Sequence, residues 1–259
     1  MGTLQNKTIV ITRRAEQAKG LIRSIEERGG KPLLFPTIAT RPTEKTEIRN
    51  RALSALHTYH WIVFGSENAA KYFLAQMSEE ALQGALPKIA AVGSKTAKTL
   101  QKAGLYVDVI PAEYTAKGLL DVFGRLGVEH QRFLLPVSDI ARKELPDGLR
   151  KLGATVDAVE FYRTVPNPDF DKERFLRLLQ SDSPDVLTFF SPSAFRYLKQ
   201  LAGAGVTDLI KKSRVAIAAI GPVTAKALTD EGLTVDIQPK VSDSSHLVEA
   251  MEGFFERGG

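Results

Sequence analysis

Four short turns carry most of the chemistry this sequence offers. Each joins an apolar run to an amphipathic stretch through small or hydroxylated residues: Gly65–Ser66–Glu67–Asn68, Gly93–Ser94–Lys95–Thr96, Ser191–Pro192–Ser193 and Gly221–Pro222–Val223–Thr224. Ser66, Ser94 and Ser191 fit helix N-caps, and Pro192 and Pro222 suit a first helical position, where a missing amide hydrogen costs nothing. Exposed amides at a helix amino terminus attract carboxylates and phosphates, and turns at the carboxyl ends of parallel strands are where ligands bind. One such turn alone caps a helix; four facing one space predict an anion cradle. Tyr162, beside Arg163 and Thr164, is the other residue of interest, readable either as core packing or as a proton donor lining a cleft.

Several other chemistries fail on spacing. The Gly93–Ser94–Lys95–Thr96 turn imitates a Walker loop, but Ser94 separates Gly93 from Lys95 and position 88 is Lys, so GxxxxGK[ST] is not met. No GxGxxG follows the first apolar run, and no nucleotide or dinucleotide cofactor is expected. The one histidine pair spaced by three, His57 and His60, straddles a helix-to-strand boundary with no third ligand near, and no metal is expected. A GxSxG elbow is missing, and no Asp or His flanks Ser66 or Ser191 as in a triad, which disfavours hydrolysis. With no cysteine, disulfides, thiolate nucleophiles and iron–sulfur clusters are excluded.

Those turns need strands and helices to hold them. Short runs rich in Val, Ile and Phe alternate with amphipathic stretches of about ten to fifteen residues, the pattern of βαβ units building a parallel sheet. Strands are predicted at Thr8–Thr12, Pro32–Thr40, Trp61–Phe64, Ile89–Val92, Val107–Ile110, Phe133–Pro136, Thr155–Thr164, Val186–Phe190, Val215–Ile220 and Val235–Ile237, with helices between. From Arg14 to Glu27 the spacing predicts a helix with Ala18, Leu21, Ile22 and Ile25 on one face, ended by Gly29–Gly30.

The strongest internal signal is a duplication. Gly93, Thr96, Gly104 and Pro111 recur at identical spacing as Gly221, Thr224, Gly232 and Pro239, and a weaker echo links the stretch from Thr8 with that from Arg132, giving the order A, B, A′, B′. The 259 residues suffice for one large domain or two small ones. A and A′ both end in proline-bearing extended segments, Pro32 to Pro42 and Thr155 to Pro168, longer than an ordinary strand. Read as crossings, they predict two doubly wound parallel-sheet α/β lobes joined by a two-segment hinge, the chain crossing twice. The boundaries then fall at 1–36 plus 167–259 for the first lobe and 41–161 for the second, with linkers at 37–40 and 162–166. Two tandem lobes split near Glu129 are the alternative.

Thirty-five Lys and Arg against thirty Asp and Glu give a formal charge of +5, which steers anions or is ordinary solvated surface. There is no basic run of five residues and no nucleic-acid signature, so no nucleic acid partner is expected. No apolar run reaches the ~18 residues of a membrane span. The start, MGTLQNKTIVIT, enters a strand directly without signal-peptide features, so a cytoplasmic protein is expected.

Taken together, ITRRAEQA, WIVFGSENA, IAAVGSKTAKTLQKAG, IPAEYTAKGLL, LLPVSDIARKELPDGLRKLGATVDAVEFYRT, VLTFFSPSAFRYL and AIGPVTAKALTDEG occur in an order that resembles the uroporphyrinogen-III synthase family over essentially the whole chain. The resemblance implies a lyase with a site between two lobes. It would close the linear tetrapyrrole hydroxymethylbilane to uroporphyrinogen III, inverting ring D with loss of water, as a monomer without metal or organic cofactor. Tyr162 matches the family's cleft tyrosine and is the implied proton donor, since a tyrosine hydroxyl is protonated at neutral pH. By similarity Ser66, Asn68, Lys95, Thr96, Ser191, Ser193 and Thr224 would bind the substrate's carboxylates, with Arg13 and Arg142 adding charge. Gly65 stands where a threonine is usual, and Val137 where an arginine commonly follows Leu–Pro. The competing readings are a non-catalytic tetrapyrrole-binding relative and a two-lobed small-ligand sensor.

Overall fold

Fully buried tetrads such as Trp61–Phe64, Val186–Phe189 and Ala216–Ala219 are the runs that parallel strands require when both faces are covered. The structure, a computed structural model, describes residues 3–44, 46–78, 86–181 and 184–258. It opens with β1 (Thr8–Ile11), α1 (Ala15–Glu26), β2 (Lys31–Leu34) and β3 (Ile38–Pro42). There follow α2 (Glu47–Ser54), β4 (Trp61–Phe64), α3 (Glu67–Leu74), β5 (Lys88–Ala91), α4 (Ser94–Lys102), α5 (Ala116–Leu126), β6 (Arg132–Ser138), α6 (Glu144–Lys151) and β7 (Thr155–Pro166). The last elements are α7 (Lys172–Gln180), β8 (Val186–Phe189), α8 (Pro192–Ala202), α9 (Val206–Lys212), β9 (Ala216–Ala219), α10 (Pro222–Asp230) and α11 (Ser244–Glu256).

These elements form two compact units. One runs up to Ala39 and resumes at Val165; the other is Thr40–Thr164. The first holds a four-stranded sheet in the order β2-β1-β8-β9, parallel at every pairing. The second holds the order β3-β7-β6-β4-β5, and its β7, β6, β4 and β5 are likewise parallel. Each sheet therefore combines strands from the first half of the chain with strands from the second half.

Period-two alternation sends successive side chains of a strand to opposite faces. In β4, Trp61 and Val63 join one cluster with Phe123, Phe133 and Leu135, while Ile62 and Phe64 join another with Phe73, Leu134 and Phe161. The first unit is built the same way, with Phe175, Leu187 and Phe195 in one cluster and Ile9, Leu21 and Met251 in the other. Helices on both faces make each unit doubly wound. Full burial of a Leu or Phe is worth ~1.5–3 kcal/mol over leaving it exposed, so these clusters hold the elements in place.

The duplication survives in hydrogen-bond detail. Asp108 Oδ2 accepts the Ile89 N–H at 2.8 Å and Asp236 Oδ2 accepts the Ile217 N–H at 2.7 Å. Thr115 caps α5 through the Gly118 N–H as Asp243 caps α11 through the His246 N–H. Gly104 and Gly232 both take positive φ, 82° and 77°, where glycine carries no Cβ penalty. These aspartates also explain two shortened strands. Val107–Ile110 and Val235–Ile237, predicted as strands, contribute only single bridges at Val109 and Ile237, because the Asp side chain takes the next ladder donor and Pro111 or Pro239 follows. The predicted strand Pro32–Thr40 is split into β2 and β3 around Pro36.

Candidate active site

In the second unit the parallel strands share one carboxyl edge, the place where open α/β sheets hold ligands. Ser66 follows β4 and caps α3, its Oγ accepting the Ala69 N–H at 3.1 Å. Tyr162 belongs to β7, where the ladder to β6 slips: Val137 faces Glu160 but Ser138 faces Tyr162, leaving Phe161 over. A bulge re-aims side chains. Here it lets consecutive residues Phe161 and Tyr162 bury in the same cluster, where unbroken alternation would send them to opposite faces.

Tyr162 is 7% exposed. Its ring stacks on Tyr72 with centroids 5.0 Å apart and planes 10° from parallel, and its hydroxyl lies 3.1 Å from Ser66 Oγ. Ser66 and Tyr162 both line a cavity of about 700 Å³, together with Gly65, Thr115, Ser138 and Arg142. The cations on its wall, Lys117 and Arg142, are matched by Glu113 and Glu144. Attraction for an anion there rests on hydroxyls and on the amino ends of α3 and α5 more than on net charge. A Cβ on Gly65 would meet nothing within 4 Å, so this wall is open where a larger residue would fit.

The remaining sequence-predicted residues are distributed over both sheets. Asn68 lies in the first turn of α3 and Lys95 is exposed on α4, both outside that cavity's lining, and Thr96 is turned inward, 5% exposed. Ser94 does not cap α4: Gly93 holds the cap position in extended conformation, φ −149° and ψ 165°, and Ser94 is already helical. In the first unit Arg13, Ser191, Ser193 and Thr224 follow β1, β8 and β9 and so share the carboxyl edge of that sheet. Ser191 caps α8 through the Ala194 N–H and lies 3.0 Å from Ser193 Oγ; Pro192 and Pro222 occupy the predicted helix starts. Thr224 is 4% exposed. Arg13 lies over Phe190 at 5.1 Å, and burial, then the neighbouring Arg14 charge, lowers its pKa from the ordinary arginine value. His60 Nδ1 accepts the Arg132 N–H at 3.0 Å, which commits that ring nitrogen to the fold.

A family model described as uroporphyrinogen-III synthase HemD matches residues 19–249. The chain belongs to that family. A relative from Methanothermobacter thermautotrophicus is 34% identical over 231 residues, 87% of this chain and 90% of its own. The uroporphyrinogen-III synthase of Chlorobaculum parvum is 27% identical, covering 95% of this chain and 98% of its own. Among solved structures, uroporphyrinogen-III synthetase from Helicobacter pylori aligns at a TM-score of 0.64 and 15% identity, covering 96% of this chain and 99% of that one. A mutant uroporphyrinogen III synthase from Thermus thermophilus aligns at 0.59 and 20% identity, covering 97% and 99%. Those likenesses extend the two-lobed α/β fold of the uroporphyrinogen-III synthases to this chain. Among the described residues no helix is long and apolar enough to cross a membrane.

Within this uroporphyrinogen-III synthase family member, sequence reasoning passed over Ser138, Thr115 and Tyr72. Thr115 carried a usable signal: it precedes an amphipathic run at the position where the repeat has Asp243, another N-cap residue. Ser138 lines the cavity from the carboxyl end of β6, and no motif in the sequence singles it out.

Proposed function

We propose that the chain closes hydroxymethylbilane to uroporphyrinogen III, inverting ring D with loss of water, and that it does so as a cytoplasmic monomer without metal or organic cofactor. Membership of the uroporphyrinogen-III synthase family over residues 19–249 supports the reaction class. The observation that carries the chemistry is the Tyr162 hydroxyl, placed 3.1 Å from Ser66 on the wall of a cavity of about 700 Å³.

The bilane supplies its own reactivity. Its terminal hydroxyl leaves as water once protonated, and the cation left on ring A is attacked by the substituted carbon of ring D. The resulting spiro intermediate breaks the bond from that carbon of ring D to the carbon bridging it to ring C, and the cation left on ring C is attacked by ring D's free α carbon, whose proton is lost and replaces the one given to the departing hydroxyl. The protein's share is a proton for the departing hydroxyl and a fold that brings ring D to ring A. Tyr162 is the donor in this reading. Ser66, Arg142, Asn68 and Lys95, with Arg13, Ser191 and Ser193, take the acetate and propionate groups. Thr96 and Thr224, being buried, offer the amides of their helix first turns more than their hydroxyls.

The test is product analysis. Incubation of hydroxymethylbilane with the protein, followed by chromatographic separation of the isomers, is expected to give the type III isomer. Only the type I isomer, formed at the spontaneous rate, would overturn the proposal.

A further inference from the structure

Tyr162 is held at both ends by one helix. Ser66, the cap of α3, meets its hydroxyl at 3.1 Å, and Tyr72, near the other end of α3, lies flat on its ring at 5.0 Å. Tyr72 is itself anchored: its hydroxyl donates to the Thr40 carbonyl at 2.7 Å and lies 3.1 Å from Thr40 Oγ1. The stacking plate is therefore fixed to β3 as well as to α3, and a stacked aromatic pair attracts beyond what its buried area alone provides.

The hydroxyl contact admits either direction, and one of them serves proton transfer. Ser66 Oγ already accepts the Ala69 N–H, and its own proton remains to be given. Donated to the Tyr162 oxygen, it leaves the phenol's single proton free to turn into the cavity that both residues line, and it stays in place to stabilise the oxygen as that proton departs. A phenol free to rotate or tilt would lose this alignment. The bulge at Phe161 turns Tyr162 into the same cluster as Phe161, so its direction is set by these side-chain partners as well as by its pairing with Ser138.

From this we infer that Tyr72 is a positioning residue for the reaction, its anchored ring holding Tyr162 so that the Tyr162 hydroxyl meets Ser66 on one side and the cavity on the other. The inference rests on the reading of Tyr162 as proton donor. Tyr72 touches no reacting atom and acts only through Tyr162.

The experiment is a mutant cycle on the full chain with hydroxymethylbilane, measuring kcat and KM separately for Tyr72→Phe, Tyr72→Leu, Tyr162→Phe and the Tyr72→Leu/Tyr162→Phe double variant. Loss of alignment in Tyr72→Leu is expected to lower kcat by about ten- to a hundredfold with little change in KM. Tyr72→Phe keeps the ring but loses the Thr40 anchor, and its kcat should fall between those of wild type and Tyr72→Leu. In the Tyr162→Phe background the Tyr72→Leu change should add nothing further, since the group it aligns is gone. Wild-type kcat in a folded Tyr72→Leu protein would overturn the inference, as would an equal loss in the presence and absence of the Tyr162 hydroxyl. Should Tyr72→Leu fail to fold, Tyr72→Met fills the gap with an unbranched chain and carries the same comparison. If Tyr162→Phe itself turns over at the wild-type rate, the donor reading falls. The positioning role falls with it, whereas a wild-type kcat in Tyr72→Leu beside an impaired Tyr162→Phe overturns the positioning role alone.

Discussion

Tyr59 and Tyr162 are buried phenols of the same unit, and their partners set them different tasks. The Tyr59 hydroxyl donates to Asp157 Oδ2 at 2.7 Å, and Arg132 both pairs with Asp157 at 3.2 Å and lies over the Tyr59 ring at 4.8 Å. Burial first, then the Asp157 hydrogen bond and charge, push the Tyr59 pKa up to about 12, against the opposing pull of Arg132. The folded chain thus holds this proton more tightly than the unfolded chain, whose tyrosines ionise near pH ~10. The stability it contributes is full below that pH and is lost as pH rises towards the folded value. We expect the melting-temperature advantage of wild type over Tyr59→Phe to be constant through neutral pH and to shrink between pH ~10 and ~12. A difference that stays flat across that window would show that Tyr59 titrates as an ordinary phenol. Such roles were out of reach of the sequence: Asp157 lies 98 residues from Tyr59, and Ser66 lies 96 from Tyr162. Tyr162 could be singled out by type and place, but its bond to Ser66 and its stack on Tyr72 are products of tertiary packing.

Element ends follow local rules, and much of their chemistry was legible for that reason. Ser66 and Ser191 cap their helices and Pro192 and Pro222 start theirs, because capping depends on a few consecutive residues. Ser94 breaks the pattern: the preceding Gly93 is the extended cap residue, as Gly221 is in the repeat. We therefore expect Ser191→Ala and Thr115→Ala each to lower stability by about 1 kcal/mol, whereas Ser94→Ala should stay within about 0.5 kcal/mol of wild type. Urea unfolding of the three variants reads the difference, and a Ser94→Ala loss as large as that of Ser191→Ala would contradict the assignment of Gly93 as cap. Strand extents were less legible than caps. Periodicity in Val107–Ile110 and Val235–Ile237 reads as strand, yet Asp108 and Asp236 satisfy the neighbouring strand's N–H with a side chain, a substitution that hydrophobic pattern does not reveal.

At the scale of the whole molecule, the order A, B, A′, B′ follows from recurring turn residues such as Gly93 and Gly221, while the pairing of halves is a matter of long-range strand contact. β1 pairs with β8 and β4 with β6, so each sheet is completed only by strands from both halves of the sequence. Each core cluster, by contrast, draws on one unit: the clusters around Phe64 and Phe133 lie wholly within residues 40–164. This separates two ways of cutting the chain. A fragment of residues 40–164 keeps β7, β6, β4 and β5 with helices on both faces, and we expect it to unfold cooperatively in urea with sheet and helix signals lost together. A fragment of residues 1–129 corresponds to one duplicated half of the sequence but leaves β1 without β8 and β4 without β6. Short strand pairs of that kind are marginal in water, and apolar residues such as Ile9, Ile11, Ile62 and Phe64, all fully buried in the native chain, would be exposed. We expect it to show no cooperative transition alone and to regain one when mixed with residues 130–259, which supply the missing strands. Cooperative folding of 1–129 by itself, or an unfolded 40–164, would mean that stability follows the duplicated halves of the sequence and not the sheets they build together.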